Sequence, residues 1–193
     1  MLVLSLALCA LAISACRTTN EQPATTPPAP VETPISPELQ KALDEMGFEK
    51  APTLGAAFRQ YVTAYATKNY GGVYDMLATE SQGRAADRLK QEIARLQGRE
   101  ESKEDLATLQ GFNGDGRKYF AWMLEKYSGG NPADDIINHK VAVTGEKITG
   151  DVGLVLITGT SSIIQPPVNF VKENGVWKLE VFGPYRTPAP GNP

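Results

Sequence analysis

Asn174-Gly175 stands between two short runs of mixed apolar and polar residues, and few dipeptides constrain a backbone more tightly. A two-residue hairpin turn needs positive φ at both central positions, which Asn and Gly adopt at little cost. Val168–Lys172 and Val176–Phe182 are therefore read as paired antiparallel strands. With the turn closed at 174–175, Glu173 faces Val176 next to the turn. Lys172 then faces Trp177, Phe170 faces Leu179 and Val168 faces Val181, the last three pairs pointing the same way. Those pairs share one mostly apolar face. Val171 with Lys178 and Asn169 with Glu180 fall on the other, mixed face. A slip of one residue would exchange the two faces, so burial of the first sets the register. Upstream, Val141 and Val143 fall on one side of a further strand. Val152 to Thr158 is a nearly continuous apolar run, as a central strand requires.

Everything between residue 36 and this sheet carries a helical period. Ser36-Pro37-Glu38 supplies a cap, a first-turn proline and a first-turn acid, and Gly47 a stop. Leu39, Leu43 and Met46 make one stripe. Thr53 is placed to cap the next helix, in which Leu54, Phe58, Tyr61, Val62 and Tyr65 share a face. Asn69-Tyr70-Gly71-Gly72 reads as a break, followed by a short segment with Val73, Tyr74 and Leu77. Ser81 to Leu96 is charged, with Ala85, Leu89, Ile93 and Leu96 as its apolar stripe. Ser102 and Asp105 are spaced as in a capping box, ahead of Leu106 and Leu109. Tyr119, Phe120, Met123, Leu124 and Tyr127 mark another amphipathic helix, ended by Gly129-Gly130. Asn131-Pro132 begins one more turn. Helices first and an antiparallel sheet last is the α+β pattern.

The first 37 residues belong to no such core. Met1 to Ala15 is apolar and uncharged, but shorter than the roughly 20 residues that span a bilayer. Ile13-Ser14-Ala15-Cys16 resembles the bacterial lipobox, although no Lys or Arg precedes the apolar run. The resemblance implies a bacterial lipoprotein: a lipoprotein signal peptide over 1–15, cleavage between Ala15 and Cys16, and a lipid (diacylglyceryl, with palmitate-type acylation) on Cys16. Ordinary secretory cleavage wants small residues at the first and third positions before the cut. A cut before Cys16 would put Ile13 third, whereas a cut before Ala15 would use Ala12 and Ser14. Residues 16–37 hold six prolines and five threonines and too little apolar surface to repay ordering. They read as a disordered tether reaching about 60 Å at most. A globular domain over 38–186 and a proline-rich disordered tail over 187–193 complete the expected organisation. The chain is then expected in the cell envelope, held to a membrane through the lipid on Cys16. In a Gram-negative host, Arg17 rather than an acid after the cysteine points to the outer membrane, with the domain facing the periplasm.

Two segments of the domain carry a further resemblance. The helix Leu54 to Tyr65 runs into Lys68-Asn69-Tyr70-Gly71-Gly72-Val73-Tyr74-Asp75-Met76-Leu77, and the chain closes on Val168 to Leu179 with its Asn-Gly turn and Trp177. Over residues 53–183 this resembles the nuclear-transport-factor-2-like superfamily (NTF2-like). The resemblance implies helices packed on a curved sheet to form a cone. The charged stretch from Ser81 to Gly116 is longer than the simplest members carry.

The chemistry such a domain could perform is narrowed by what it contains. Net charge is −3 with no basic stripe, which argues against nucleic acid as a partner. The only cysteines are Cys9 and Cys16 and the only histidine is His139, too few for a zinc site of those ligands. No metal and no cofactor are expected. Gly111-Phe112-Asn113-Gly114-Asp115-Gly116 follows no strand and lacks the acid a calcium loop needs, so it reads as a turn. Asp134-Asp135 suits the first turn of a helix. A lone histidine is more often satisfied than catalytic, and no catalytic residue is assigned. Tyr61, Tyr65, Tyr74, Tyr119, Trp122 and Trp177 are either core or the lining of a cone pocket. The expectation is a domain that binds an envelope protein or a small apolar ligand, with an isomerase- or cyclase-type enzyme and a purely structural envelope protein as the alternatives.

Overall fold

The computed structural model describes residues 34–138, 140–159, 161, 164 and 167–181. The signal segment with Ala15 and Cys16, the tether up to residue 33, His139 and the 187–193 tail lie outside the described residues.

The first helix, α1 (Pro37–Glu45), starts where its residues say it should. The Ser36 hydroxyl accepts the Leu39 N–H at 3.2 Å, and Gly47 ends the segment with φ of 74°. Leu39, Leu43 and Met46 are buried together. The helix α2 (Gly55–Ala66) buries Leu54, Phe58, Val62 and Tyr65 as expected, but Thr53 does not cap it. Leu54 holds the cap position and has no acceptor to offer. The carboxylate of Glu146, in the strand β1 (Ala142–Thr149), takes its place and accepts the N–H groups of Thr53 (3.1 Å) and Leu54 (2.8 Å). An anion there also meets the positive end of the helix. Glu146→Ala is expected to cost about 1–2 kcal/mol in a denaturant melt, the scale of a lost N-cap, with Glu146→Gln recovering part of it.

The break after α2 falls two residues earlier than expected, at Thr67-Lys68, where Lys68 takes φ of 58°. Asn69 then starts a helix, α3 (Tyr70–Asp75), by accepting the Gly72 N–H at 2.9 Å. Gly71 and Gly72 are therefore inside a helix. A Cβ on Gly71 would lie 2.5 Å from the Arg117 guanidinium, the movable end of a long side chain, and one on Gly72 would lie 2.7 Å from the Asn69 amide that caps the helix. Arg117 in turn forks both carboxylate oxygens of Asp75, at 3.0 and 2.9 Å.

Three helices follow: α4 (Thr79–Leu96), α5 (Lys103–Gly111) and α6 (Gly116–Tyr127). Ser102 occupies the cap position of α5, yet its hydroxyl makes no capping bond, so the expected capping box is not formed. The 111–116 segment is a turn, with Asn113 and Gly114 at φ of 52° and 82°. Its Asp115 caps α6 by accepting the Arg117 and Lys118 N–H groups at 2.9 and 3.1 Å. On α6, Tyr119 and Phe120 are buried, but Tyr127 is 63% exposed because the last turn runs beyond the core. The short α7 (Pro132–Asn138) leads to the sheet.

The strands β1, β2 (Val152–Thr158), β3 (Val168–Glu173) and β4 (Val176–Glu180) form an antiparallel meander in chain order. β2 is interior, as its apolar run predicts. The hairpin register matches expectation for five pairs, from Glu173–Val176 to Asn169–Glu180. The sixth is not formed: β4 stops at Glu180, and the Val181 N–H leaves the sheet for the Ser81 hydroxyl at 3.3 Å. Val168 pairs instead across to Val155 of β2. Each edge strand also bonds to backbone outside the sheet. The Val143 N–H donates to the Met46 carbonyl at 2.8 Å, and the chain between α3 and α4 bridges Leu179 through Leu77.

The architecture is α+β, with the helices ahead of a four-stranded antiparallel sheet. Its principal core joins Val143, Val155, Val168, Phe170 and Leu179 on one sheet face to α1, α2 and α3. A second, smaller core, built on Leu89, Leu96, Leu109 and Tyr119, lies among α4, α5 and α6.

Candidate functional site

The six aromatics singled out in the sequence do not converge on one place. Tyr65 is buried in the principal core, and Tyr61, Tyr74 and Trp177 pack against it. Tyr119 and Trp122 belong to the second core, their rings stacked at 6.2 Å. What does converge is a run of rings along α2. Phe48 meets Phe58 at 5.6 Å, Phe58 meets Tyr61 at 6.3 Å, and Tyr61 meets Tyr65 at 6.4 Å. Tyr65 then meets Tyr70, the first residue of α3, edge-on at 5.5 Å.

Polar groups gather at the far end of this run. Tyr70 is 5% exposed, and its buried Oη makes no hydrogen bond of good geometry among the described residues, although the Ser128 side chain is near enough to act on it. A hydroxyl in that state costs about 1–3 kcal/mol, so it calls for an explanation. Beside it stands Ser128, at the C-terminal end of α6, whose own hydroxyl donates to the Glu125 carbonyl at 3.4 Å. Asp135 sits in the first turn of α7, where the helix dipole suits it, and its charge also bears on Tyr65. Sequence reasoning missed Tyr70 because Asn69–Gly72 looks like a break. Read with Asn69 as a cap, Tyr70, Val73, Tyr74 and Leu77 form one stripe at helical spacing.

The electrostatics keep these phenols protonated. Burial pushes Tyr61 up to about 12. Burial first, then Tyr70, Tyr61 and Asp135, raises Tyr65, and burial raises Tyr70 against a smaller opposing effect from Ser128. At neutral pH they can donate or accept hydrogen bonds but cannot serve as phenolate nucleophiles. A phenol held above its unfolded value near 10 favours the folded state below that value and loses this advantage as pH rises. Stability is therefore expected to fall between about pH 10 and pH 12, the value Tyr61 reaches, and Tyr61→Phe to flatten that slope in alkaline melts.

Among the described residues, no three His, Cys, Asp or Glu side chains stand close enough together to hold a metal ion. Nor is any helix of those residues long and apolar enough to cross a membrane. Compared with known proteins, the chain matches no family model, no curated protein and no solved structure.

Proposed function

We propose that this chain is a lipid-anchored protein of the bacterial cell envelope whose α+β domain acts by binding, either to an envelope protein or to a small apolar ligand. The observation that carries the reading is Ile13-Ser14-Ala15-Cys16, followed at once by a proline-rich stretch and then by a helix that starts at Pro37. Small residues before a cysteine suit a narrow protease site, and the thiolate is the nucleophile that takes the lipid. Two acyl chains hold a protein on a bilayer where one gives only marginal binding. The order of elements, helices and then an antiparallel meander, supports likening the domain to the NTF2-like superfamily.

Mass spectrometry of the protein from its native host is expected to find lipid on an N-terminal Cys16. Cys16→Ser should move the protein from the membrane fraction to the soluble one. An unmodified chain beginning at Ala15, or one keeping its leader, would overturn the anchor.

The alternative is an envelope enzyme of the isomerase or cyclase type, for which Asp135, in the first turn of α7, is the carboxylate to test. An isomerase or cyclase of that kind would lose its turnover in Asp135→Asn while keeping its fold. A binding protein would have no turnover to lose.

A further inference from the structure

The helix α5 is the least embedded of the described helices. Leu109 alone of its nine residues is buried, where six of the twelve in α2 are. A helix that short is not stable by itself in water, and α5 also starts without a side-chain cap. It is held by what it lies on. Leu109 sits among Leu89 and Leu96 of α4 and Tyr119 of α6, with Leu106 and Phe112 packed beside it. The Asp105 carboxylate pairs with Lys126 of α6, whose Nζ also stands 4.9 Å over the Trp122 ring. Both ends of the segment are free to turn. Gly98 and Gly114 take φ of 80° and 82°, and a Cβ on either would meet nothing within 4 Å. The 3₁₀ turn between Gly98 and α5, Glu100–Ser102, buries no residue. The rest of the domain has its own anchorage, since Ala85 of α4 and Phe120 of α6 belong to the principal core. Few buried apolar contacts between two unobstructed hinges is the pattern of a segment that opens before the whole chain does.

We propose that residues 98–114, carrying α5, form a flap that leaves α4 and α6 as one unit while the sheet stays folded, and so gates an apolar groove lined by Leu89, Leu96 and Tyr119. Leu109 is its plug, and the Asp105–Lys126 pair is its latch. The flap uses nothing from the N-terminal segment, so its failure and the failure of the lipid anchor are separate results.

The test is amide hydrogen exchange of the full chain, read residue by residue. The amides of 107–111 are expected to be protected at least about 100-fold less than those of β2 and β3, and to share one dependence on urea, as a single cooperative opening requires. Lys126→Ala should raise that opening about two- to fivefold, the scale of a partly exposed ion pair, and leave the sheet unchanged. Leu109→Asp should hold the flap off: α5 loses its protection, the groove takes up the apolar dye ANS, and β2 and β3 keep theirs. Should that variant fail to fold, α5 is an integral part of the core and the proposal is overturned. Protection of α5 equal to that of the sheet, a different urea dependence at each of its amides, a Lys126→Ala chain with unchanged exchange, or no dye uptake by Leu109→Asp would each overturn it as well.

Discussion

Phe170→Ala is expected to cost about 3–5 kcal/mol in a urea or guanidinium melt, whereas Lys178→Ala costs about 1 kcal/mol or less. The two residues belong to the same hairpin and lie on opposite faces of it. Phe170 is 2% exposed, pairs with Leu179 on one side and with Gly153 on the other, and belongs to the principal core. Over Gly153 the side chain of Leu54 comes so close that a Cβ there would lie 2.8 Å from it, so helix and sheet are in direct contact beside Phe170. Removing the ring leaves a cavity that this packing cannot easily close. Lys178 makes one solvent-exposed bond, from Nζ to the Asp75 carbonyl at 3.0 Å, which water replaces. A domain of this size has about 5–15 kcal/mol in hand, so Phe170→Ala should visibly lower the midpoint. Equal and small shifts for both variants would mean that the core lies on the other face.

Gly55→Ala is expected to destabilise by about 3 kcal/mol, opposite in sign to the usual gain from replacing glycine in a helix. Gly55 is the first residue of α2, and a Cβ built on it would stand 2.1 Å from the carbonyl oxygen of Phe48. That oxygen already accepts the Ala51 N–H at 3.1 Å in a tight turn. It cannot retreat without undoing the turn and shifting the Phe48 ring from its edge-on contact with Phe58. Relief must come from backbone movement, which costs more than the roughly 1 kcal/mol that alanine gains in helix propensity. Gly111→Ala is the control. It too is helical, a Cβ there meets nothing within 4 Å, and it should be neutral or mildly stabilising. A stabilised Gly55→Ala in thermal and chemical melts would mean that the turn before α2 is loose.

The features legible in the sequence are those decided within a few residues. The stripe of Leu39, Leu43 and Met46 follows from helical period, and all three are buried. The hairpin register follows from the positive φ that Asn174 and Gly175 accept, at 51° and 83°, and from the two-residue period of a strand. Asp115 caps α6 because its carboxylate reaches N–H groups two and three residues on.

What the tertiary structure decided has partners far apart in the chain. Glu146 caps α2 from a strand 92 residues away, and no local rule could prefer it to Thr53. The two adjacent glycines at 71 and 72 look like a break until Arg117, from α6, is seen lying against Gly71. Val181 turns away from its expected partner because Ser81 offers its N–H an acceptor. The candidate site is of this second kind throughout. Tyr65, Tyr70, Ser128 and Asp135 come from four elements, and nothing in the spacing of residues 65 to 135 announces that they meet. Local chemistry sets which segments become helices and strands and which of their faces are apolar. The choice of which apolar faces meet, and so which polar groups are enclosed between them, is made by close packing of the whole chain, where a single Cβ decides whether two elements can touch.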